Sequence, residues 1–215
     1  MTVTDIIDLS KKQCKIMIDD TFAFVLYKGE LHLYGISQGR EMDEATYDRI
    51  VGEVLTKRAK LRAMNLLKSR AYTEKRLREK LEAGKYPAVC VEQALAYVKS
   101  FGYVDDRRYA SDYLFYHGKT LNRRQIYKKL MERGVAEETI REAYEEFCKT
   151  GEAPDDARLI RNYLDKKKYV PADGDLAQEK KNKMIRALMQ RGFRYDRITA
   201  VLQSYGKNDE ETVKM

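Results

Sequence analysis

The fold is decided by TEKRLREKLEAGKYPAVCVEQAL, residues 73–95, and by its counterpart NRRQIYKKLMERGVAEETIREAY, residues 122–144. A shift of 49 residues brings the apolar positions of the first stretch onto those of the second, and a further shift of 58 reaches a third set. Such recurrence is typical of stacked supersecondary units that bury their faces against one another. The three sets are Leu77, Leu81, Tyr86, Val91, Ala94 and Leu95; Ile126, Leu130, Val135, Ile140, Ala143 and Tyr144; Met184, Leu188, Phe193, Ile198, Val201 and Leu202.

Around these stretches, apolar residues fall at three- and four-residue steps, which predicts three helices in each unit. We therefore expect a mainly α fold, with three tandem three-helix repeats in an elongated, curved array and a small N-terminal antiparallel β segment. The predicted segments are a β-rich N-terminal segment (1–42), a lead helix with the first repeat (43–104), the second repeat (105–150), the third repeat (151–205) and a polar tail (206–215).

The N-terminal segment differs from the repeats in its pattern. Short runs rich in Ile, Val and Phe at 14–19 and 22–27, followed by 31–34, predict a β meander. Asp43 then has the properties of a helix N-cap, with Thr46 at the third helical position.

Short-range polar signals also mark the ends of the repeat helices. Thr73 and, 49 residues later, Asn122 are both predicted N-caps, and Gln125 completes a capping box with Asn122. Pro87 suits the start of a helix, and Gly134 suits a helix C-cap. Even the cap therefore recurs with the repeat.

The net charge of +8 is unevenly distributed. Positive charge is concentrated in 57–80, 119–133 and 161–199, whereas 1–56 and 134–160 carry a negative excess. Three basic blocks within the repeats indicate a polyanion or an acidic protein surface as partner. The alternative is that each block is an ordinary solvated helical face.

Cations of the middle helices are predicted to lie far from the apolar stripe, because successive residues turn by about 100°. In the second unit this places Arg124 and Lys128 one turn apart on the outer face, with Arg123 and Lys129 beside them. Such a row can follow phosphates, whose contacts weaken with salt, or contact an acidic groove. The candidate binding residues are Lys75, Arg76, Arg107, Arg108, Arg123, Arg124, Lys128, Lys129, Arg186 and Arg191.

Motifs that could carry catalysis or bind a metal are better explained as structure. Gly118-Lys119-Thr120 resembles the end of a phosphate-binding loop, but Tyr113 stands where that motif needs a glycine. Asp105-Asp106 and Asp155-Asp156 fall where helices begin, where carboxylates accept backbone N–H bonds and offset the helix dipole. We therefore predict no catalytic residue, no metal site and no cofactor.

Tyrosines are abundant, and four of them, Tyr103, Tyr109, Tyr113 and Tyr116, lie near the junction of the first two units. Aromatic rings beside arginines could stack on nucleobases. The helical spacing of the last three favours core packing instead.

The cysteine pattern is typical of a protein from a reducing compartment. Cys14, Cys90 and Cys148 are odd in number and widely spaced, which favours buried small hydrophobic residues over a disulfide framework or a metal pattern. No apolar run approaches the roughly 20 residues of a membrane span. The N-terminal sequence has no basic start followed by an apolar core, so we expect a cytoplasmic protein without a signal peptide.

The segment GYVDDRRYA, residues 102–110, followed by Arg124, Gly134, Val135 and Ile140, resembles the hallmark of the RecX family of recombination regulators. The run AMNLLKSR, residues 63–70, with Leu77 and Leu81, is similar to the first unit of that family. The resemblance covers about residues 59–204, and the second unit is its most specific part. The β-rich N-terminal segment resembles that of longer members, and the 166–175 loop departs from the repeat pattern.

The resemblance implies tandem three-helix repeats and a partner, the RecA recombinase filament on single-stranded DNA. Members of the family bind in the filament groove, span neighbouring subunits, and limit filament growth, ATP hydrolysis and coprotease activity, without known catalytic residues. It also implies that Arg123, Arg124, Lys128 and Lys129 are the first candidates for contacts. The implied structural residues, which shape the junction between units, are Gly102, Tyr103, Asp105, Asp106, Tyr109 and Ala110, together with the C-cap Gly134.

We therefore expect a non-enzymatic, monomeric regulator of homologous recombination and the SOS response. It would bind the RecA–single-stranded DNA filament groove, with direct contact to the DNA as a further possibility. The alternatives are a general basic helical nucleic-acid-binding protein, and a helical adaptor for an unrelated acidic protein.

Overall fold

The computed structural model describes residues 1–151, 153, 155–171 and 175–205, so the predicted tail 206–215 and part of the 166–175 loop lie outside the described residues. The chain divides into two compact units, Met1–Asp106 and Arg107–Met215. The mainly α fold with an N-terminal antiparallel sheet is confirmed.

The first unit begins with a three-stranded sheet of order β1-β2-β3, made of β1 (Val3–Asp8), β2 (Gln13–Ile18) and β3 (Thr21–Tyr27). Both strand pairs are antiparallel. Asp19 and Asp20, with φ values of 46° and 60°, form the two-residue turn between β2 and β3, a left-handed conformation that aspartate tolerates. The predicted strands at 14–19 and 22–27 are confirmed, whereas the sequence pattern missed β1.

The predicted strand at 31–34 is wrong, because Lys28–Leu33 forms helix α1. Glu30 explains the difference. Its carboxylate accepts the backbone N–H of Tyr27 at 2.9 Å and pairs with Arg58, which holds the first helical turn. Gly35, with φ of +62°, reverses the chain after the helix.

A long helical segment follows, in which a π-helical stretch, Arg49–Leu55, joins α2 (Glu44–Asp48) to α3 (Thr56–Ser69). Asp43 is confirmed as the N-cap, since it accepts the backbone N–H of Thr46 at 2.7 Å. Two further helices, α4 (Glu74–Glu82) and α5 (Ala88–Ser100), complete the unit. Thr73 caps α4 and Pro87 is the N-cap residue of α5, as predicted.

The second unit contains six described helices. They are α6 (Asp106–His117), α7 (Arg123–Glu132), α8 (Glu137–Lys149), α9 (Asp156–Lys166), α10 (Asp175–Gln190) and α11 (Tyr195–Ser204). Gly134 ends α7 with φ of +88°, and Val135 donates its N–H to the carbonyl of Leu130, so the predicted C-cap is confirmed.

The recurring apolar positions lie in three different clusters of buried residues. The set that begins at Leu77 belongs to a cluster spanning residues 3–104, which also contains the inner face of the sheet. The set that begins at Ile126 lies in a second cluster over 110–147, and the third set lies in a cluster over 159–202. Each stretch singled out by the shifts therefore contributes to its own core.

Two predictions about burial are wrong. Cys148 is exposed, unlike Cys14 and Cys90, because it lies on the outer side of α8. Tyr116 is 74% exposed, although Tyr113 is buried as predicted, because only one face of α6 meets the second core. Helical spacing alone had assigned both tyrosines to the same apolar stripe.

Candidate functional site

A groove in the second unit brings together cations that the sequence placed on separate helices. It has a volume of about 380 Å³ and lies between α7 and the C-terminal end of α10. We call it the α7–α10 groove. Its lining residues are Arg124, Gln125, Lys128, Lys129, Glu132, Gln190 and Arg191, so four cations face one carboxylate.

The face that α7 presents to the groove follows from its amphipathic pattern. Ile126 and Leu130 are fully buried in the second core, which turns Arg124, Lys128 and Lys129 outward. The predicted row of cations on the outer face of this helix is therefore present.

Asn122 fixes the start of α7 and also joins it to α10. Its side-chain oxygen accepts the backbone N–H of Gln125 at 2.8 Å, and its backbone N–H donates to the Gln125 amide oxygen at 3.2 Å, as the capping box predicts. The amide nitrogen of Asn122 additionally donates to the backbone carbonyl oxygen of Arg191 at 3.0 Å. Asn122 is only 4% exposed whereas Arg191 is exposed, so this bond is partly buried.

The turn that follows α10 lies directly against Arg124. Gly192 has φ of +94°, a left-handed conformation that favours glycine. A Cβ atom at this position would lie 2.7 Å from Cδ and 3.1 Å from Cβ of Arg124. The absence of a side chain at Gly192 thus makes room for the aliphatic stem that carries the Arg124 guanidinium to the groove.

The two remaining arginines near the groove are held by aromatic rings. The Arg191 guanidinium lies 4.6 Å from the ring centre of Tyr163. Arg123 lies over Tyr127 and Tyr144, at 5.1 and 5.4 Å, and its hydrogen bond to the Tyr127 hydroxyl raises its pKa above the ordinary value. Arg123 therefore braces α7 against α8 and is not among the residues that line the groove.

A second cavity, of about 600 Å³, adjoins the first along α10. Gln190 lines both cavities. The predicted residue Arg186 lies in the second cavity, together with Lys183, Glu179 and Asn182. The sequence analysis did not select Lys183, although it lies three residues before Arg186 on the same face of α10.

The other candidate cations lie outside both cavities. In the first unit, Lys75 and Arg76 are exposed on α4, and Arg76 bonds Glu79 of the same helix at 3.0 Å. Arg107 and Arg108 are exposed at the start of α6. The structure therefore groups only Arg124, Lys128, Lys129, Arg186 and Arg191 from the predicted set.

The motif residues 102–110 have several different roles. Gly102 adopts φ of +67° after α5, and Ala110 is fully buried. Asp106 does not cap its own helix; its carboxylate accepts the backbone N–H of Glu74 at 2.9 Å, at the start of α4. Burial raises the pKa of Asp106 above its ordinary value. Tyr103 is 52% exposed and stacks on Phe101, with ring centres 5.8 Å apart.

The described residues show no group of three or more His, Cys, Asp or Glu side chains placed to hold a metal ion. Over the same part of the chain, no helix combines the length and apolar character needed to cross a membrane. The fold and the α7–α10 groove thus define a basic, mainly helical protein with a cationic surface on its second unit.

Comparison with known proteins identifies the family to which this basic helical protein belongs. "Regulatory protein RecX" of Caldanaerobacter subterraneus is 30% identical over 170 residues, which cover 78% of this chain and 85% of that protein. The protein of the same name from Clostridioides difficile is 27% identical over 198 residues, with 91% and 90% coverage. No protein-family model matches. The chain belongs to the RecX family.

Solved structures support the fold. A crystal structure described as regulatory protein RecX has a TM-score of 0.57 at 21% identity and covers 93% of this chain and 98% of its own. A second, RecX from Lactobacillus salivarius, has a TM-score of 0.55 at 18% identity and covers 70% of this chain and 96% of its own.

Proposed function

We propose that this chain is a non-enzymatic regulator of the RecA recombinase, which binds in the groove of the RecA–single-stranded DNA filament and inhibits filament growth and RecA activities. It would act as a cytoplasmic monomer in homologous recombination, DNA repair and the SOS response. Membership of the RecX family supports the partner. The observation that carries the binding mode is the convergence of Arg124, Lys128, Lys129 and Arg191 on one groove.

A cationic groove suits a nucleoprotein filament for two physical reasons. Unlike charges steer association and raise its rate at low salt. A filament also repeats its binding sites, so modest contacts made by several parts of one chain add to a high overall affinity. A chain bound in the filament groove would physically block filament growth and RecA turnover. The regulator therefore needs no catalytic activity of its own.

The test is RecA-driven ATP hydrolysis on single-stranded DNA with increasing amounts of the full chain. The variant Arg124→Glu with Lys128→Glu reverses two groove charges. The matched control, Arg141→Glu with Lys149→Glu, reverses two exposed charges on α8, a helix that contributes no residue to the groove. Melting curves of all three proteins establish that they are folded.

We expect the wild-type chain and the control to inhibit hydrolysis at stoichiometric levels. The groove variant should need at least about tenfold more protein, equivalent to about 1.4 kcal/mol of lost binding free energy. Unchanged hydrolysis with the wild-type chain would remove the proposal. If the groove variant inhibits hydrolysis as strongly as the wild-type chain does, the α7–α10 groove is not the surface that binds the filament.

A general basic nucleic-acid-binding protein is the second candidate. It is favoured by the excess of cations over carboxylates in the groove. Binding to naked DNA at physiological salt with a steep salt dependence, and with no effect on RecA, would select it.

A further inference from the structure

The N-terminal sheet of the first unit has one closed edge and one open edge. At the closed edge, Val3 of β1 donates its N–H to the carbonyl of Arg40 at 2.9 Å and accepts the N–H of Gly39 at 2.8 Å. The Asp5 carboxylate accepts the N–H of Ile6, which β1 directs away from β2, at 2.8 Å. The backbone after α1 and a side chain of β1 itself therefore occupy the positions that a further strand would need.

The open edge is that of β3. Lys28, directly after this strand, donates its N–H to the carbonyl of Lys12 at 2.9 Å, and hydrogen-bonded pairs alternate along an antiparallel ladder. In the observed register this makes Phe24 and Leu26 the residues that bond β2, so Val25 directs its N–H and its carbonyl away from the sheet. No backbone or side-chain group of the described residues bonds these two groups of Val25.

The sequence of β3 lacks most of the features that guard natural edge strands. Charged side chains, prolines and bulges keep such strands from pairing with another chain. β3, with the sequence TFAFVLY, contains no charge and no proline, and its register shift at Ala23 is a single bulge. Phe22 on this strand is 41% exposed. An uncharged strand of aromatic and β-branched residues with free backbone groups is suited to accept another strand.

The outer face of the sheet shows which side chains flank the open edge. The register places Lys15 of β2 between Ile7 of β1 and Val25 of β3. Phe22 lies on the same face, with its ring centre 5.4 Å from the Lys15 amino group. If two β3 strands pair, Val25 and Phe22 of the two chains become cross-strand neighbours, and aromatic and β-branched pairs of this kind are stabilising. The two Lys15 side chains are then three strand spacings apart, about 14 Å, where salt screens their repulsion.

We propose that two copies of this chain pair reversibly through the open edges of β3 and join their sheets into one six-stranded antiparallel sheet. An edge that pairs with its own copy about a two-fold axis must be self-complementary, and β3 carries no charge that would repel its copy. Because the edge at β1 is closed, each sheet has one open edge and the assembly ends at two chains. The inference goes beyond the proposed function, in which the single chain acts on the filament, since the pair is a resting form in equilibrium with that monomer.

Sedimentation equilibrium of the full chain, from low to high micromolar concentration, measures the pairing. The variant Val25→Glu places a carboxylate opposite Lys15 of its own chain, which suits the fold, but it brings two carboxylates together at the interface of the pair. The matched control, Ile7→Glu, places the same carboxylate on the other side of Lys15, at the closed edge. Melting curves show that each protein is folded.

The mass of the wild-type chain should rise from 25.2 kDa towards twice that value as the concentration increases. The Ile7→Glu control should behave alike, whereas Val25→Glu should weaken pairing by at least about tenfold, because like charges that face each other across paired strands are destabilising. A wild-type chain of 25.2 kDa at every concentration overturns the inference. Pairing that Val25→Glu leaves unchanged also overturns it, since the contact then lies elsewhere.

Hydrogen exchange on the wild-type chain tests the same contact without a substitution. The Val25 amide should gain protection as the concentration rises, while the Ile6 amide, which is already bonded, should not change. Protection of Val25 only when RecA filament is added, with the chain monomeric throughout, overturns the second copy in favour of a strand from the partner. Pairing without inhibition of RecA removes the proposed function and leaves this inference, whereas inhibition by a chain that never pairs does the reverse.

Discussion

The hydrogen bond between the Asn122 amide and the Arg191 carbonyl should hold α7 and α10 at the spacing that forms the α7–α10 groove. Asn122 makes two separable contributions: its oxygen caps α7, and its amide nitrogen reaches the end of α10. Asn122→Ser keeps a capping oxygen on a shorter side chain that does not reach Arg191. Asn122→Ala removes both contributions.

The magnitudes follow from burial. An N-cap lost to alanine costs about 1 kcal/mol. Loss of the partly buried hydrogen bond to the Arg191 carbonyl oxygen costs about 1 kcal/mol. We therefore expect the free energy of unfolding to fall by about 1 kcal/mol in Asn122→Ser and by about 2 kcal/mol in Asn122→Ala.

Two measurements test this reasoning. Urea denaturation gives the free energy of unfolding, and hydrogen exchange shows whether protection is lost at 185–191 as well as in α7. Asn122→Ser changes no charge, yet it should weaken inhibition of RecA-driven ATP hydrolysis, because the cations of α7 and α10 lose their fixed spacing. A serine variant with wild-type stability and wild-type exchange at 185–191 would refute a structural role for this bond.

Three other predictions concern single positions. Gly102→Ala should lower the free energy of unfolding by about 1 kcal/mol, because the residue has a left-handed φ but open surroundings. Gly192→Ala should lower it by at least about 1 kcal/mol more in thermal unfolding, because the added Cβ also displaces the stem of Arg124. Burial raises the pKa of Asp106 above 3.8, so its contribution to stability is full below pH 3.8 and is lost as the pH rises through the raised pKa. Asp106→Asn keeps an acceptor for the N–H at the start of α4, and urea denaturation at a series of pH values should show the variant gaining on the wild type from pH 3.8 upward. Cys148 should react at once with an aromatic disulfide reagent in the native chain, and the two buried cysteines only after unfolding; three fast thiols in the native chain would contradict the buried positions.

The helix ends were predictable because their signals act over three or four residues. Asp43, Thr73 and Asn122 each accept a backbone N–H three residues ahead, and that geometry depends on nothing distant in the chain. The incorrect strand at 31–34 shows where such reasoning fails. Four alternating residues suit a strand or a short helix equally well, and the choice was made by Glu30, whose partner Arg58 lies 28 residues away.

Only the α7 side of the α7–α10 groove could be predicted from the sequence, and the repeat shows why. The periodicity of α7 places Arg124 and Lys128 on one face, and the shift of 58 even maps the C-cap Gly134 onto Gly192, whose φ of +94° matches. The local sequence of neither helix predicts that the turn at Gly192 lies against Arg124, because that contact joins residues 68 positions apart. A recurring pattern specifies equivalent cores, whereas the charges that cover those cores differ from unit to unit, and only the packing of α7 on α10 decides which of them converge.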